Sequence, residues 1–206
     1  MEDLRKPIEE ASIFIIKASI IRDIIKDVYA LAKTIEWELR HTPASFRRAK
    51  KDSYKTKEME VKLSKLLKDI PVNIYHIGSS AIPNMKSKNI IDILIETIDD
   101  RNFGNIVKIL FKEWELRWNE DDRAFLVKGY GEKGFQDKVF HLHIRKKGDI
   151  TEVEFKNILL EYPEVAKKYE ALKLKLEKEY KFDRERYTEG KTEFIDNIIR
   201  EYSLHK

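Results

Sequence analysis

Apolar residues recur at spacings of three and four along residues 8–40: Ile13, Ile16, Ile20, Ile24, Val28, Leu31 and Ile35. This period predicts a long helix, and Ile21, Ile25 and Ala32 widen its apolar stripe. Lys17, Arg22, Asp23, Lys26 and Lys33 hold the opposite face. So broad a stripe must be covered, either by the rest of the chain or by a second copy in a homodimer. Pro43 in Thr42-Pro43-Ala44-Ser45 breaks the pattern, since proline disfavours helix at the residue before it. A second helix is predicted over 54–69, with Met59, Leu63, Leu66 and Leu67 inward and Pro71 closing it.

The period then changes to two. Val72–Ile77 reads as a strand, followed by the turn Gly78-Ser79-Ser80 and a polar connection to a strongly apolar strand at 90–96. A helix is predicted around 103–112 from Phe103, Ile106, Val107, Leu110 and Phe111. Three strand candidates follow at 114–118, 124–130 and 139–145, and their close spacing and turns argue for antiparallel pairing. The remainder is helical. Thr151 with Glu154 has the form of a capping box, Pro163 suits a first helical position, and the last helix is expected over about 189–203. The order αα-β-β-α-β-β-β-ααα defines an α+β fold. It has a mixed, largely antiparallel sheet of about five strands, with helices mainly on one face and helical segments at both ends.

Composition narrows the function classes. The 206 residues carry 41 Lys and Arg against 37 Asp and Glu, a net charge of only +4, with the signs interspersed. That favours an anionic ligand mildly; nucleic acid is permitted as a partner but not demanded. Cysteine is absent, which removes disulfide scaffolds, thiolate zinc sites and thiol nucleophiles. No secretory signal is visible, and charges interrupt the Ile-rich N-terminal segment before it reaches the roughly 20 apolar residues of a membrane span. A cytoplasmic protein without membrane association is the default expectation.

Asp92 stands alone among isoleucine and leucine in the strand 90–96. A carboxylate in such a run needs a hydrogen-bonding partner or a metal. Alternation puts Ile90, Asp92, Leu94 and Glu96 on one face and Ile91, Ile93 and Ile95 on the other, the core face. The preceding turn can offer backbone N–H groups and the Ser79 and Ser80 hydroxyls to an anion, with Gly78 allowing close approach. His141 and His143 share a face of their own strand, so both rings can converge on one ion if that face meets the cleft. Lys88 is placed to neutralise phosphate charge.

The segments His76-Ile77-Gly78-Ser79-Ser80, Lys88-Asn89-Ile90-Ile91-Asp92, Phe140-His141-Leu142-His143 and Asp183 to Lys191 together resemble the GrpB family, from about residue 50 to the end. The resemblance implies a nucleotidyltransferase-like domain over 49–206 preceded by a helical extension over 1–48. It also implies that Asp92 is a metal-binding acid, and that Arg184, Tyr187 and Lys191 close the cleft over a phosphate or carboxylate. A nucleoside triphosphate and an unidentified acceptor are the expected partners.

Two-metal nucleotidyl transfer uses two acids at i and i+2 on one strand, holding ions roughly 3.5–4 Å apart. Here the second position is Leu94, and Glu96 is ~13 Å along the strand from Asp92. Three readings stay open: metal-dependent nucleotidyl or phosphoryl transfer, a nucleotide-binding or scaffold module without transfer, and a mononuclear hydrolase built on Asp92, His141 and His143. Magnesium or manganese suits the first. Zinc suits a site in which the histidine pair ligates.

Overall fold

The computed structural model describes residues 17–22, 24, 25, 28, 47, 48, 53–131, 134–181 and 183–203. The chain divides into two compact units, Met1–Thr42 and Pro43–Lys206. In the first, residues 17–22, 24, 25 and 28 are helical. The rest of the helix expected over 8–40, and the break at 42–45, lie outside the described residues.

The second unit runs β1 (Arg47–Arg48), α1 (Ser53–Leu66), β2 (Val72–Ile77), β3 (Lys86–Ser87), β4 (Ile90–Thr97), α2 (Phe103–Leu110), β5 (Glu115–Asn119), β6 (Arg123–Gly131), β7 (Gly134–Arg145), α3 (Thr151–Glu161), α4 (Pro163–Glu179) and α5 (Arg184–Ser203). Five strands form one sheet in the order β2-β4-β7-β6-β5. The β4–β7 pair is parallel, with Asp92 opposite His141 and Leu94 opposite His143. The other pairs are antiparallel, as the spacing of β5, β6 and β7 predicts. The two-residue strands β1 and β3 pair separately and are too short to leave a period in the sequence.

The isoleucine face of β4 is the core face. Ile91, Ile93 and Ile95 pack with Leu126, Leu142 and Ile144 of the neighbouring strands, beneath Leu63 of α1 and Phe103, Ile106 and Leu110 of α2. Each such fully buried side chain contributes ~1.5–3 kcal/mol of apolar transfer, which fixes the register of the central strands. The opposite face is only partly covered. Leu94 packs there with Ile77 and with Val153 of α3. A further apolar cluster joins Ile82 and Met85 to Phe155, Val165, Tyr169 and Ile198, seating the segment after the Gly-Ser turn on the C-terminal helices.

Helix boundaries depart from expectation for identifiable reasons. Thr151 is the first residue of α3 and its hydroxyl makes no cap. The N–H groups of Val153 and Glu154 donate instead to the Ile150 carbonyl, at 2.8 and 3.0 Å, so the predicted capping box is replaced by a backbone start. Pro163 does open α4. Helix α5 begins five residues before 189 because the Asp183 carboxylate accepts the Arg186 N–H at 3.0 Å, the bond an N-cap makes to its third helical residue. Strand β7 likewise starts at Gly134, opposite Gly131, so its hairpin with β6 absorbs most of the loop expected before Val139.

The β6–β7 ladder carries a bulge between Lys128 and Tyr130. Gly129 sits there at φ 93°, and a Cβ on it would lie 2.1 Å from the Lys138 carbonyl oxygen. Both the dihedral and the backbone contact demand glycine. Gly129→Ala is therefore expected to lower unfolding free energy by ~1–3 kcal/mol, read from urea denaturation midpoints.

Candidate active site

Asp92 lies on the open face of β4, its side chain 26% exposed. Gly78 presses directly against it: at φ 71°, a Cβ on Gly78 would fall 2.5 Å from Asp92 Oδ2. The glycine that ends β2 is thus required twice, for a left-handed dihedral and for contact between backbone and carboxylate. It also opens a short 3-10 turn, Ser79–Ala81. Burial by itself raises the pKa of Asp92, favouring the neutral acid. The hydrogen bond from His141 and the fields of His141, His143 and Lys191 outweigh it and hold the carboxyl below its ordinary pKa of 3.8.

The parallel register delivers His141 beside that acid. Its Nδ1 lies 3.2 Å from Asp92 Oδ1, and its Nε2 lies 2.7 Å from the Tyr130 hydroxyl. Carboxylate, imidazole and phenol thus form a continuous chain across β4, β7 and β6. With Nδ1–H donating to Asp92, a neutral His141 presents a bare Nε2 that accepts the Tyr130 O–H. Phe125, on the same face of β6, sets its ring edge-on to His141 at 5.1 Å and tilted against His143 at 4.9 Å. His143 shares the face, as its spacing requires, yet its buried Nδ1 has no hydrogen-bond partner among the described residues. Burial, opposed by the Asp92 charge, lowers its pKa to about 4, so the ring is neutral near pH 7.

The C-terminal helices supply cations. Lys173 of α4 is only 2% exposed. Its ammonium donates to Ser79 Oγ at 2.8 Å and to the Lys86 carbonyl at 2.9 Å, while the Lys86 N–H donates to Glu170 one turn earlier on α4. Burial, with Lys191 and Lys88 nearby, lowers the Lys173 pKa to about 8 against the pull of Glu170 and Asp92. Lys88 and Lys191 both lie against the Tyr187 ring, at 4.9 and 4.3 Å from its centroid. The remaining turn hydroxyl, Ser80, bonds His76 Nε2 at 3.0 Å. Lys88, Tyr187 and Lys191 thus meet one another, while Ser79 and Ser80 bond Lys173 and His76. The Arg184 side chain lies outside the described residues. Lys173 was not singled out in the sequence, where it is one of several lysines on a charged helix.

The expected ligand trio does not behave as one. Both imidazole nitrogens of His141 face protein partners, and no group of three or more His, Asp or Glu side chains among the described residues is placed to hold an ion. These residues do not fit a resident Asp/His/His metal. Glu96 is equally engaged elsewhere: it accepts from Asn73, Tyr75 and the Gly148 N–H at 2.9–3.0 Å. Leu94, fully buried, fills the second acid position.

A sequence profile of the GrpB protein family matches residues 48–201. With the fold and this turn-and-acid site in place, the chain belongs to the GrpB family. The glutamate-rich protein GrpB of Alkalihalophilus pseudofirmus is 30% identical over 135 residues, covering 63% of this chain and 78% of its own. YqkA of Bacillus subtilis is 29% identical over 131 residues, covering 60% of this chain but only 36% of its own length. Among solved structures, the conserved protein GrpB from Enterococcus faecalis superposes with TM-score 0.57 at 23% identity over 71% of this chain and 91% of that one. That likeness establishes the fold. An RNA terminal uridylyl transferase, Cid1, matches at TM-score 0.44 and 17% identity over 62% of this chain and 39% of its own, too little to carry an argument.

Two measurements test this geometry. Gly78→Ala is expected to cost ~1–3 kcal/mol of stability. Combining it with Asp92→Ala should recover the part due to the carboxylate contact and leave the part due to the dihedral, so the double-mutant cycle shows a favourable coupling. The second concerns pH. The unfolded chain protonates His143 near 6.5 and the folded chain only near 4, so the unfolded state binds more protons between those values. Stability should fall as pH drops from 6.5 toward 4. His76, also held below 6.5 by burial, adds to the upper part of that window. Denaturation midpoints of His143→Gln and His76→Gln should each show a shallower decline.

Proposed function

We propose that this chain is a nucleotidyltransferase-like protein that binds a nucleoside triphosphate by its phosphates against Gly78–Ser80 and passes a nucleotidyl or phosphoryl group to an acceptor. The observation that carries the reading is Lys173. A nearly buried ammonium with two further ammonium groups nearby is costly to keep charged, a cost that Glu170 and Asp92 offset only in part. Phosphate oxygens relieve that cost and can take the Ser79 hydroxyl as a donor. Lys88 and Lys191, on either side of the cleft segment and α5, extend the same positive field.

In transfer, Asp92 holds the His141 ring with Nδ1–H toward itself, and Nε2 takes the proton of the attacking hydroxyl. A neighbouring carboxylate stabilises the imidazolium that results, the arrangement that makes a histidine an effective base. The lysines balance charge on the departing phosphates. The second reading, nucleotide binding without transfer, is favoured by Leu94: a fully buried leucine stands where a second acid would hold a second ion.

Thermal denaturation with ATP or UTP, supplied with magnesium or manganese, tests binding. The wild type is expected to gain several degrees at saturating nucleotide. Lys173→Met, which keeps the side-chain length, should raise the nucleotide Kd by about 10-fold or more, the weight of a lost charged hydrogen bond. An unchanged Kd in that variant removes the phosphate assignment.

A further inference from the structure

Strict alternation along β6 would give Tyr130 the wrong face. Ala124 and Leu126 enter the isoleucine core, while Phe125 lies against the two histidines on the open face. Lys128 follows the core parity, its ammonium 5.6 Å from the ring of Trp114, a core residue. Tyr130, two residues further on, should share that side. The bulge at Gly129 inverts it. The ladder jumps from Lys128↔Phe140 to Tyr130↔Phe135, one intervening residue on β6 against four on β7, and the Tyr130 ring comes onto the face of His141. The two rings then lie 6.1 Å apart and near-parallel, with hydroxyl and Nε2 in hydrogen-bond contact at 2.7 Å. Arg117 of β5 brings its guanidinium to 5.6 Å from the same phenol ring. A glycine in the left-handed region, against a backbone carbonyl, thus serves to aim one hydroxyl at an imidazole that a buried-edge carboxylate already orients.

That is the constellation of an activated nucleophile: hydroxyl, base, and a third group that fixes the base. We propose that Tyr130 is itself the first acceptor, so that the chain nucleotidylates its own phenol. The inference rests on the nucleoside triphosphate reading of the Gly78–Ser80 turn, which reaches His141 through the Gly78–Asp92 contact. Tyr130 Oη attacks the α-phosphorus and an Oη–P bond forms. The bond from that phosphorus to the bridging oxygen of the β-phosphate breaks, and pyrophosphate leaves with the electron pair. The phenolic proton passes to His141 Nε2, and Asp92 stabilises the imidazolium. Arg117 stands beside the phenol to offset charge on the phosphoryl oxygens. The product is a tyrosyl phosphodiester and pyrophosphate, with no oxidant or reductant required.

The experiment is intact-mass and peptide mass spectrometry of the full chain after incubation with ATP, or with UTP, as the magnesium or manganese salt, in parallel with nucleotide thermal shifts. One nucleoside monophosphate per chain is expected, mapped to Tyr130. It should be lost to background in Tyr130→Phe, which keeps the ring and the fold, and formed at least 100-fold more slowly in His141→Gln. Arg117→Met should slow labelling about 10-fold. A full thermal shift with no label, or a label that survives Tyr130→Phe, overturns the assignment of Tyr130 while the nucleotide reading stands. Loss of both shift and label in the wild type removes that reading and this inference with it.

Discussion

The contact between the Gly78 backbone and the Asp92 carboxylate is the constraint on which the functional face depends. It sets the end of β2 and the turn that follows against Asp92 near the start of β4. A side chain at 78 would occupy the place of the carboxylate oxygen, 2.5 Å away. The acid in turn sets the tautomer of His141, and through it the hydrogen bond at Tyr130. Four strands' worth of geometry therefore converges on one missing Cβ.

The sheet divides its work by parity. One face is filled by isoleucine and leucine under α1 and α2 and secures the register. The other carries ionisable groups, held in place by that register and walled by Leu94, Ile77 and Val153. The positive charge does not come from the sheet. It arrives from α4 and α5, which are bound to the turn through Lys173, Glu170 and the apolar cluster at Ile82 and Met85. Gly190 packs closely against α4, since a Cβ on it would fall 2.7 Å from the Leu176 Cδ2 methyl and require that side chain to shift.

Much of this was legible in the sequence because it follows short periods. Alternation placed Asp92 opposite the isoleucine face and put His141 and His143 together, and the three antiparallel strands followed from their turns. What escaped notice has a common cause: the informative partner is distant or the period is locally broken. Lys173 looks like Lys167, Lys168 or Lys175 until α4 is docked and only one of them meets Ser79. Tyr130 is assigned to the wrong face unless Gly129 is recognised as a bulge. His141 as a metal ligand was a fair reading of its spacing, but Tyr130 holds the nitrogen that an ion would need. The N-cap at Asp183 is legible, since Asp before a helical run is a start signal.

The parallel pairing of β4 with β7 has a consequence for how competence is acquired. Asp92 and His141 belong to strands that cannot meet through a tight turn; α2, β5 and β6 are all made between them. Such non-local pairing forms late, after the hairpins on its flank. A nascent or partly unfolded chain would own the acid and the imidazole separately, and the contact between them comes into being only with the finished sheet. The contact between acid and imidazole is thereby tied to completion of the fold.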